Sequence, residues 1–274
     1  MSASKLILGT ANFINPYGRY QKDPNKIKRE LDKIICLSLK NNITSIDTAM
    51  HYGNLSDALN LQKKFYKFRI INKIKPIEKE LDELDLQYTD SLLLHIDPRQ
   101  KYDTQFLIKL LLTAKKRKSK INIGVSIYGE NDIEADIYDV CDLVQLPVSV
   151  LDKTLLDSGF VERLKSKDIQ IHSRSIFLQG LLLNDPKSLK NNVARLSPTI
   201  EKFQAFCRKK NYTPLQVCLN FVLTNNLIDF IVCGFNSYAE LKQLITLEKQ
   251  RPLDLSDMPH FDVQDVAMLK PYNW

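Results

Sequence analysis

The sequence predicts an α/β protein: a (β/α)8 TIM-type barrel, one domain over residues 1–274, with its active site at the carboxyl ends of the strands. Three observations carry this. Eight short runs, each nearly all apolar, alternate with longer amphipathic segments along the whole chain. A run that is apolar throughout marks a strand buried on both faces, as in a parallel sheet. The 274 residues suit one barrel of about 250 residues. An open doubly wound sheet would carry a G-x-G-x-x-G phosphate loop after its first strand; Gly9-Thr10-Ala11-Asn12 does not fit that pattern.

Leu6–Gly9 is the first strand. Asn25–Lys40 follows as a helix, because Ile27, Leu31, Ile34, Ile35 and Leu39 recur on one helical face. Ile43–Ile46 is strand two, Asp57–Phe65 a helix, and Phe68–Asn72 strand three. The next helix, Ile77–Leu86, turns Leu81 and Leu84 inward. Ser91–Leu94 is strand four, Thr104–Lys116 a helix and Ile121–Val125 strand five. Asn131–Tyr138 is a short helix and Leu143–Leu146 strand six. Leu155–Lys167 reads as one helix before strand seven, Ile169–Ser173. An excursion through Asn184-Asp185-Pro186 interrupts the alternation. Helices over Thr199–Lys210 and Pro214–Thr224 come next, the second with Thr213 as cap and Pro214 in its first turn. Ile228–Cys233 is strand eight and Ser237–Lys249 the last long helix, followed by a short tail.

Composition narrows the functional classes. The chain is 44% hydrophobic and 26% charged, as globular proteins are. No apolar run approaches the ~20 residues that cross a bilayer, and the N-terminal segment lacks a signal peptide's apolar core and cleavage site. The expectation is a cytoplasmic protein with no membrane partner. Five cysteines, Cys36, Cys141, Cys207, Cys218 and Cys233, form no C-x-x-C pair and sit in apolar contexts; they read as buried free thiols. Neither they nor the four histidines show metal-ligand spacing, so no metal is expected. The net charge of +7 suits an anionic partner, yet the basic residues are scattered. The densest run, KKRKSK at 115–120, lies between a helix and a strand and reads as a solvated helix end. No interleaved aromatics accompany it, which argues against nucleic acid.

Four polar residues stand at the ends of strands two, three and four: Asp47 and Tyr52 after strand two, Lys73 after strand three and His95 after strand four. Neighbouring strands of a barrel bring such side chains together at the carboxyl-end crevice. A free phenol, with a pKa of about 10, is a poor acid at neutral pH. A lysine cation beside it lowers that pKa, and a buried carboxylate keeps the lysine charged. An imidazole nearby can orient a carbonyl. The set matches a proton donor to a carbonyl that is receiving a hydride. Taken singly, Asp47 reads as a helix cap, Lys73 as a solvated side chain and His95 as a loop histidine. Their order and spacing make the joint reading the stronger one. His172 and His260 are assigned no role, His172 being read as structural.

These segments resemble the aldo-keto reductases. D-T-A-x-x-Y-G is present as Asp47-Thr48-Ala49-Met50-His51-Tyr52-Gly53, T-K-x-x-P as Asn72-Lys73-Ile74-Lys75-Pro76, and D-x-x-L-L-H as Asp90-Ser91-Leu92-Leu93-Leu94-His95. I-G-V-S follows at Ile123–Ser126, and SRSIFLQGLLL at 173–183 and CGFNSYAELKQL at 233–244 resemble the later cofactor segments. The resemblance covers essentially the whole chain. It implies Tyr52 as general acid, Lys73 and Asp47 as its modulators and His95 as the orienter of the carbonyl. It also implies a nicotinamide dinucleotide, NADP(H) rather than NAD(H). Gly9, Thr10 and Ala11 would lie at the cofactor, Ser126 and Gln145 would hold the nicotinamide carboxamide, and Arg174 would stack on its ring. Ser175, Phe177 and Gln179 would follow the pyrophosphate. Gly234, Phe235, Asn236 and Ser237, with Glu240 and Gln243 on the next helix turn, would take the adenosine side, where a helix N-terminus suits an anion.

The sequence departs from the family in places. Ser126-Ile127 stands where the family has Ser-Asn. Gly234 and Glu240 stand where NADP-preferring members carry cations, and Gln243-Leu244 replaces a Glu-Asn pair. Glu240 would repel a 2′-phosphate but accept a hydrogen bond from a ribose hydroxyl; Lys242 is close enough in sequence to compensate. A long C-terminal substrate loop is not evident, which leaves the pocket open or completed by a partner subunit. His51, and Tyr17, Arg19 and Tyr20 on the first βα loop, are candidate contacts to a small carbonyl substrate such as a sugar. The leading function is an NAD(P)H-dependent carbonyl reductase. The alternatives are a cofactor-binding regulator with little turnover and, more weakly, an isomerase or lyase that uses Lys73 as a Schiff-base amine. Oligomeric state, substrate and reaction direction are not set by the sequence.

Overall fold

A computed structural model of the chain describes residues 4–14, 24–53 and 63–274. Eight parallel strands close into a barrel in sequence order: β1 Leu6–Gly9, β2 Ser45–Ala49, β3 Arg69–Ile74, β4 Ser91–His95, β5 Asn122–Ser126, β6 Leu143–Pro147, β7 Gln170–Arg174 and β8 Phe230–Gly234. The expected barrel is the observed one. The closing pair is β1 with β8, which aligns Gly9 with Gly234. The helix expected over Asp57–Phe65 falls largely outside the described residues.

Strand alternation divides the apolar residues between two layers. Leu8, Ile46, Ile70, Leu92, Val144 and Ile231 face outward into the main core shared with the helices. Ile7, Ile71, Leu93 and Leu143 fill the barrel lumen, with Phe230 and Val232 packed on them. Two residues further along the same lumen-facing rows stand Gly9, Lys73, His95 and Gln145. The polar layer therefore rests on an apolar plug. Gly124 is required there: a Cβ on it would come 1.8 Å from the Leu143 carbonyl oxygen, so the β5–β6 approach excludes any side chain.

Register is pinned at the other end of the barrel by acidic residues that precede alternate strands. Asp90 accepts from Ile70 N, Asp142 from Ile123 N and Asp229 from Ile171 N, at 2.8, 2.9 and 2.7 Å. Lys115 and Lys165 neutralise the last two. A second apolar cluster joins the excursion after β7 to the helix Ser197–Lys209 and to Phe261, Met268 and Leu269 of the tail.

Several local expectations change. Asp47, Lys73 and His95 lie within their strands rather than beyond them, because the strands run past the apolar runs into polar residues that the lumen shelters. Asn131–Tyr138 is two 3-10 turns, Glu130–Asp132 and Ala135–Val140. Leu155–Lys167 is two short helices, Thr154–Asp157 and Phe160–Lys165, broken at Gly159 with φ of 69°. The run at 115–120 is not simply solvated: Lys115 pairs with Asp142 and Arg117 with Asp82, and Lys118 donates to the carbonyls of Leu86 and Thr89. Cys36 is exposed, since it lies off the apolar stripe of its helix; the other four cysteines are buried and all five are free.

Candidate active site

Asp47, Lys73 and Gln145 meet inside the barrel mouth, and all three are buried. The Lys73 ammonium donates to Asp47 Oδ1 and, at 3.2 Å, to Gln145 Oε1. Gln145 Nε2 donates to Asp47 Oδ2 at 2.7 Å, and Ser126 Oγ to Gln145 Oε1 at 3.3 Å. Lys73 Nζ also lies 5.4 Å from the centroid of the Tyr52 ring, which the turn Met50–Tyr52 carries at the end of β2. The His51 ring packs at 5.2 Å from Tyr52 and 5.1 Å from His95. The four residues expected to act together are thus brought together.

Electrostatics sets their protonation. Burial by itself would lower the Lys73 pKa; Asp47 and the phenol reverse this and hold it above the ordinary lysine value. Burial pushes Tyr52 up from 10, with Lys73 and Arg174 opposing. The expectation of a lowered phenol pKa is therefore corrected: desolvation outweighs the neighbouring cations, and the phenol holds its proton. Burial, then Lys73 and Arg174, push His95 down to about 2, so its imidazole is neutral. Burial and the cations Lys73 and Lys75 bring His51 down to about 4.

A cavity of about 480 Å³ runs from Tyr52, Lys73 and His95 past Ser126 and Gln145 to Asn236, Glu240 and Gln243. Of the expected cofactor residues, Gly9, Ala11, Arg174, Ser175, Phe177, Gln179, Gly234 and Phe235 also line it. Thr10 does not: its N–H and hydroxyl both bond the Asp47 carbonyl at 3.0 Å, tying β1 to β2. Ser237 does not either; its hydroxyl caps the helix Tyr238–Glu248 by accepting from Glu240 N at 3.2 Å. His51, exposed and packed on the rings of Tyr52 and His95, is not among the residues that line the cavity. Tyr17, Arg19 and Tyr20 lie outside the described residues.

Three features suit the groove to an extended, partly charged ligand. Ser175, Gln179 and Gly180, along one wall, have φ of 61°, 51° and 91°; for the first two this left-handed conformation stores strain that surroundings must enforce. Arg174 Nε and Asn12 Oδ1 are buried in the lining without hydrogen-bond partners among the described residues. Glu240 accepts from Asn236 N at 2.8 Å and from its side-chain amide at 3.1 Å, which fixes the turn at the far end. A dinucleotide fits this shape and donor set.

Sequence reasoning missed Tyr128 and Tyr272. Tyr128 lines the cavity; the Arg174 guanidinium lies 4.1 Å from its ring centroid, and the Tyr272 ring meets it edge-on at 5.0 Å. Arg174, expected against the nicotinamide, thus rests on a protein ring. The short tail does reach the site: Lys270 bonds Asp152 and the Tyr128 carbonyl, both at 2.9 Å. Tyr128 was legible as a polar residue at the end of β5; nothing local distinguished Tyr272.

The model of the aldo/keto reductase family matches residues 5–264. Among solved structures, the aldo-keto reductase AKR11C1 from Bacillus halodurans, in its holo form, is 15% identical with a TM-score of 0.68, covering 94% of this chain and 91% of that one. The thermostable aldo-keto reductase Tm1743, solved with the inhibitor epalrestat, is 16% identical with a TM-score of 0.65, covering 92% of each chain. No curated protein sequence matches the chain.

Proposed function

Since this chain belongs to the aldo/keto reductase family, a family of carbonyl-reducing oxidoreductases, we propose that it reduces an aldehyde, ketone or sugar carbonyl to the alcohol with a nicotinamide dinucleotide. The whole chain acts as one domain in this reading, and Tyr52, Lys73, Asp47 and His95 carry the reaction. The supporting observation is the buried Asp47–Lys73 ion pair with the Tyr52 ring beside its ammonium, at one end of a groove that fits a dinucleotide.

When bound, a reduced nicotinamide would supply a hydride. Ser126 Oγ, the free N–H of Gln145 and the faces of Arg174 and Tyr128 would hold its ring; Ser175, Gln179 and Asn236 would follow the rest. Neutral His95 donates an N–H to the substrate carbonyl oxygen and orients it. Tyr52 gives its proton to that oxygen as charge develops there. Lys73, beside the phenol, stabilises the resulting phenolate, and Asp47 keeps Lys73 charged. Turnover of NADPH or NADH on a panel of aldehydes, ketones and sugars tests the reading; no turnover with either cofactor would favour a binding protein.

The family resemblance favours NADP(H). One observation favours NAD(H) instead: among the described residues lining the cavity's far end, none is a lysine or arginine, and Glu240 contributes a carboxylate. A 2′-phosphate there meets like charge, whereas a 2′-hydroxyl meets an acceptor. The ratio of kcat/KM for NADPH and NADH decides between them.

A further inference from the structure

We propose that Gln145 is a positioning residue of the proton-donating machinery, a strut across the barrel that aims Lys73 at Tyr52; this rests on the reductase reading above. β6 stands four strands from β2, on the opposite side of the closed barrel. From there Gln145 reaches both members of the buried ion pair, Asp47 through Nε2 at 2.7 Å and Lys73 through Oε1 at 3.2 Å. With the Lys73–Asp47 bond these contacts close a ring of three side chains drawn from β2, β3 and β6.

Donor counting gives the ring its function. An ammonium has three N–H groups. Lys73 directs two of them to Asp47 Oδ1 and Gln145 Oε1, which leaves the third for the Tyr52 phenol, whose ring centroid lies 5.4 Å from Nζ. Both acceptors are fixed to the barrel wall, so the ammonium is held beside the phenol without a further search. Gln145 is itself saturated on one side: Oε1 accepts from both Lys73 and Ser126, and Nε2 spends one N–H on Asp47. A single N–H remains for a ligand. Gln145 therefore serves the ion pair in addition to the one ligand contact left to it, beyond the role that the family resemblance gives it.

Removing the amide leaves one Lys73 N–H and one Asp47 oxygen without partners in a dry site, and lets Lys73 rotate away from Tyr52. The charged and titratable groups facing the ring are Tyr52, His51, His95, His172 and Arg174. The imidazoles are pushed to about 4 or below, so at neutral pH none of them changes charge and effects there belong to Lys73 and Tyr52.

The test combines NMR of the free protein with kinetics and binding. Wild type with ¹⁵N-lysine should show one Nζ signal protected from solvent exchange, which Lys73→Met removes. In Gln145→Met, a near-isostere without hydrogen bonds, that signal should exchange at least about tenfold faster, as expected when a buried polar partner worth over 1 kcal/mol is lost. With NADPH or NADH, whichever the wild type uses, kcat should fall roughly tenfold or more, a larger factor than the rise in Kd that loss of the single ligand-facing N–H brings. Gln145→Glu provides the rescue. Protonated, its carboxyl offers one O–H and one acceptor as the amide does, so kcat should recover as pH falls. An unchanged Nζ signal, or a weakened Kd with unchanged kcat, overturns the proposal. Should Gln145→Met not fold, the pH response of Gln145→Glu decides. Should wild type turn nothing over, the reductase reading fails but the Nζ signal still tests the strut.

Discussion

Asp47, Lys73 and Gln145 sit on strands at one end of the groove, at most 3% exposed, and each is held by at least two others of the site. At the far end, Asn236, Glu240 and Gln243 sit on a loop and a helix turn, half-buried or exposed. The first end is built from the barrel's own backbone, so its geometry is as rigid as the sheet. The second is set by one cap at Ser237 and one turn held by Glu240. Under the proposed function, the contrast teaches a division of labour: proton chemistry would be placed where position cannot drift, and nucleotide choice where single substitutions can change it. Mutations at the strand end should therefore be large and coupled, and those at the loop end small and separable.

The largest expected effect is on turnover. Tyr52→Phe should lower kcat by about 10²–10⁴ and leave nucleotide affinity unchanged; equal losses in both would break the contrast. Lys73→Met should strand a buried carboxylate and cost on the order of 3–5 kcal/mol in denaturant unfolding. Because folding raises the Lys73 pKa, the pair's contribution is present below the unfolded lysine value of about 10.4 and is lost as pH rises through the folded value. A smaller effect comes from His172. It lies in the lumen, in register with Gln145, its Nε2 donates to Gln170 Oε1 at 2.8 Å, and burial lowers its pKa to about 4. Its neutral form is the folded one, so this stability is present above about 6.5 and is lost as pH falls toward 4. Acid titration of unfolding should show a loss on the order of 3 kcal/mol that His172→Phe removes. At the loop end, Glu240→Arg should raise the NADPH-to-NADH ratio of kcat/KM by about tenfold, near 1.4 kcal/mol, with kcat for the preferred nucleotide little changed. The smallest, Ser237→Ala, should cost about 1 kcal/mol of helix capping in thermal unfolding.

Much of the strand end was legible because its signals are local. Apolar runs mark strands, and Asp47, Lys73 and His95 follow them in an order that neighbouring strands bring together. Gln145 was legible as a site residue, but its partners were not: they lie 98 and 72 positions away in the chain. The phenol's pKa was misjudged for a related reason. A neighbouring lysine can be inferred from spacing, whereas desolvation depends on how completely other segments close over the site. Cys36 shows the same limit, since an apolar neighbourhood in sequence does not say which side of a helix faces water.

By itself, then, the sequence determined the alternation of strands and helices, the closed barrel and the identity of the four chemical groups, because each follows from local pattern and chain order. Tertiary structure alone decided that Gln145 braces the ion pair, that Thr10 and Ser237 serve the scaffold rather than the groove, and that Tyr272 reaches the site. Those outcomes depend on distances across the barrel and on which groups are dried by packing. Neither quantity is carried by any stretch of neighbouring residues.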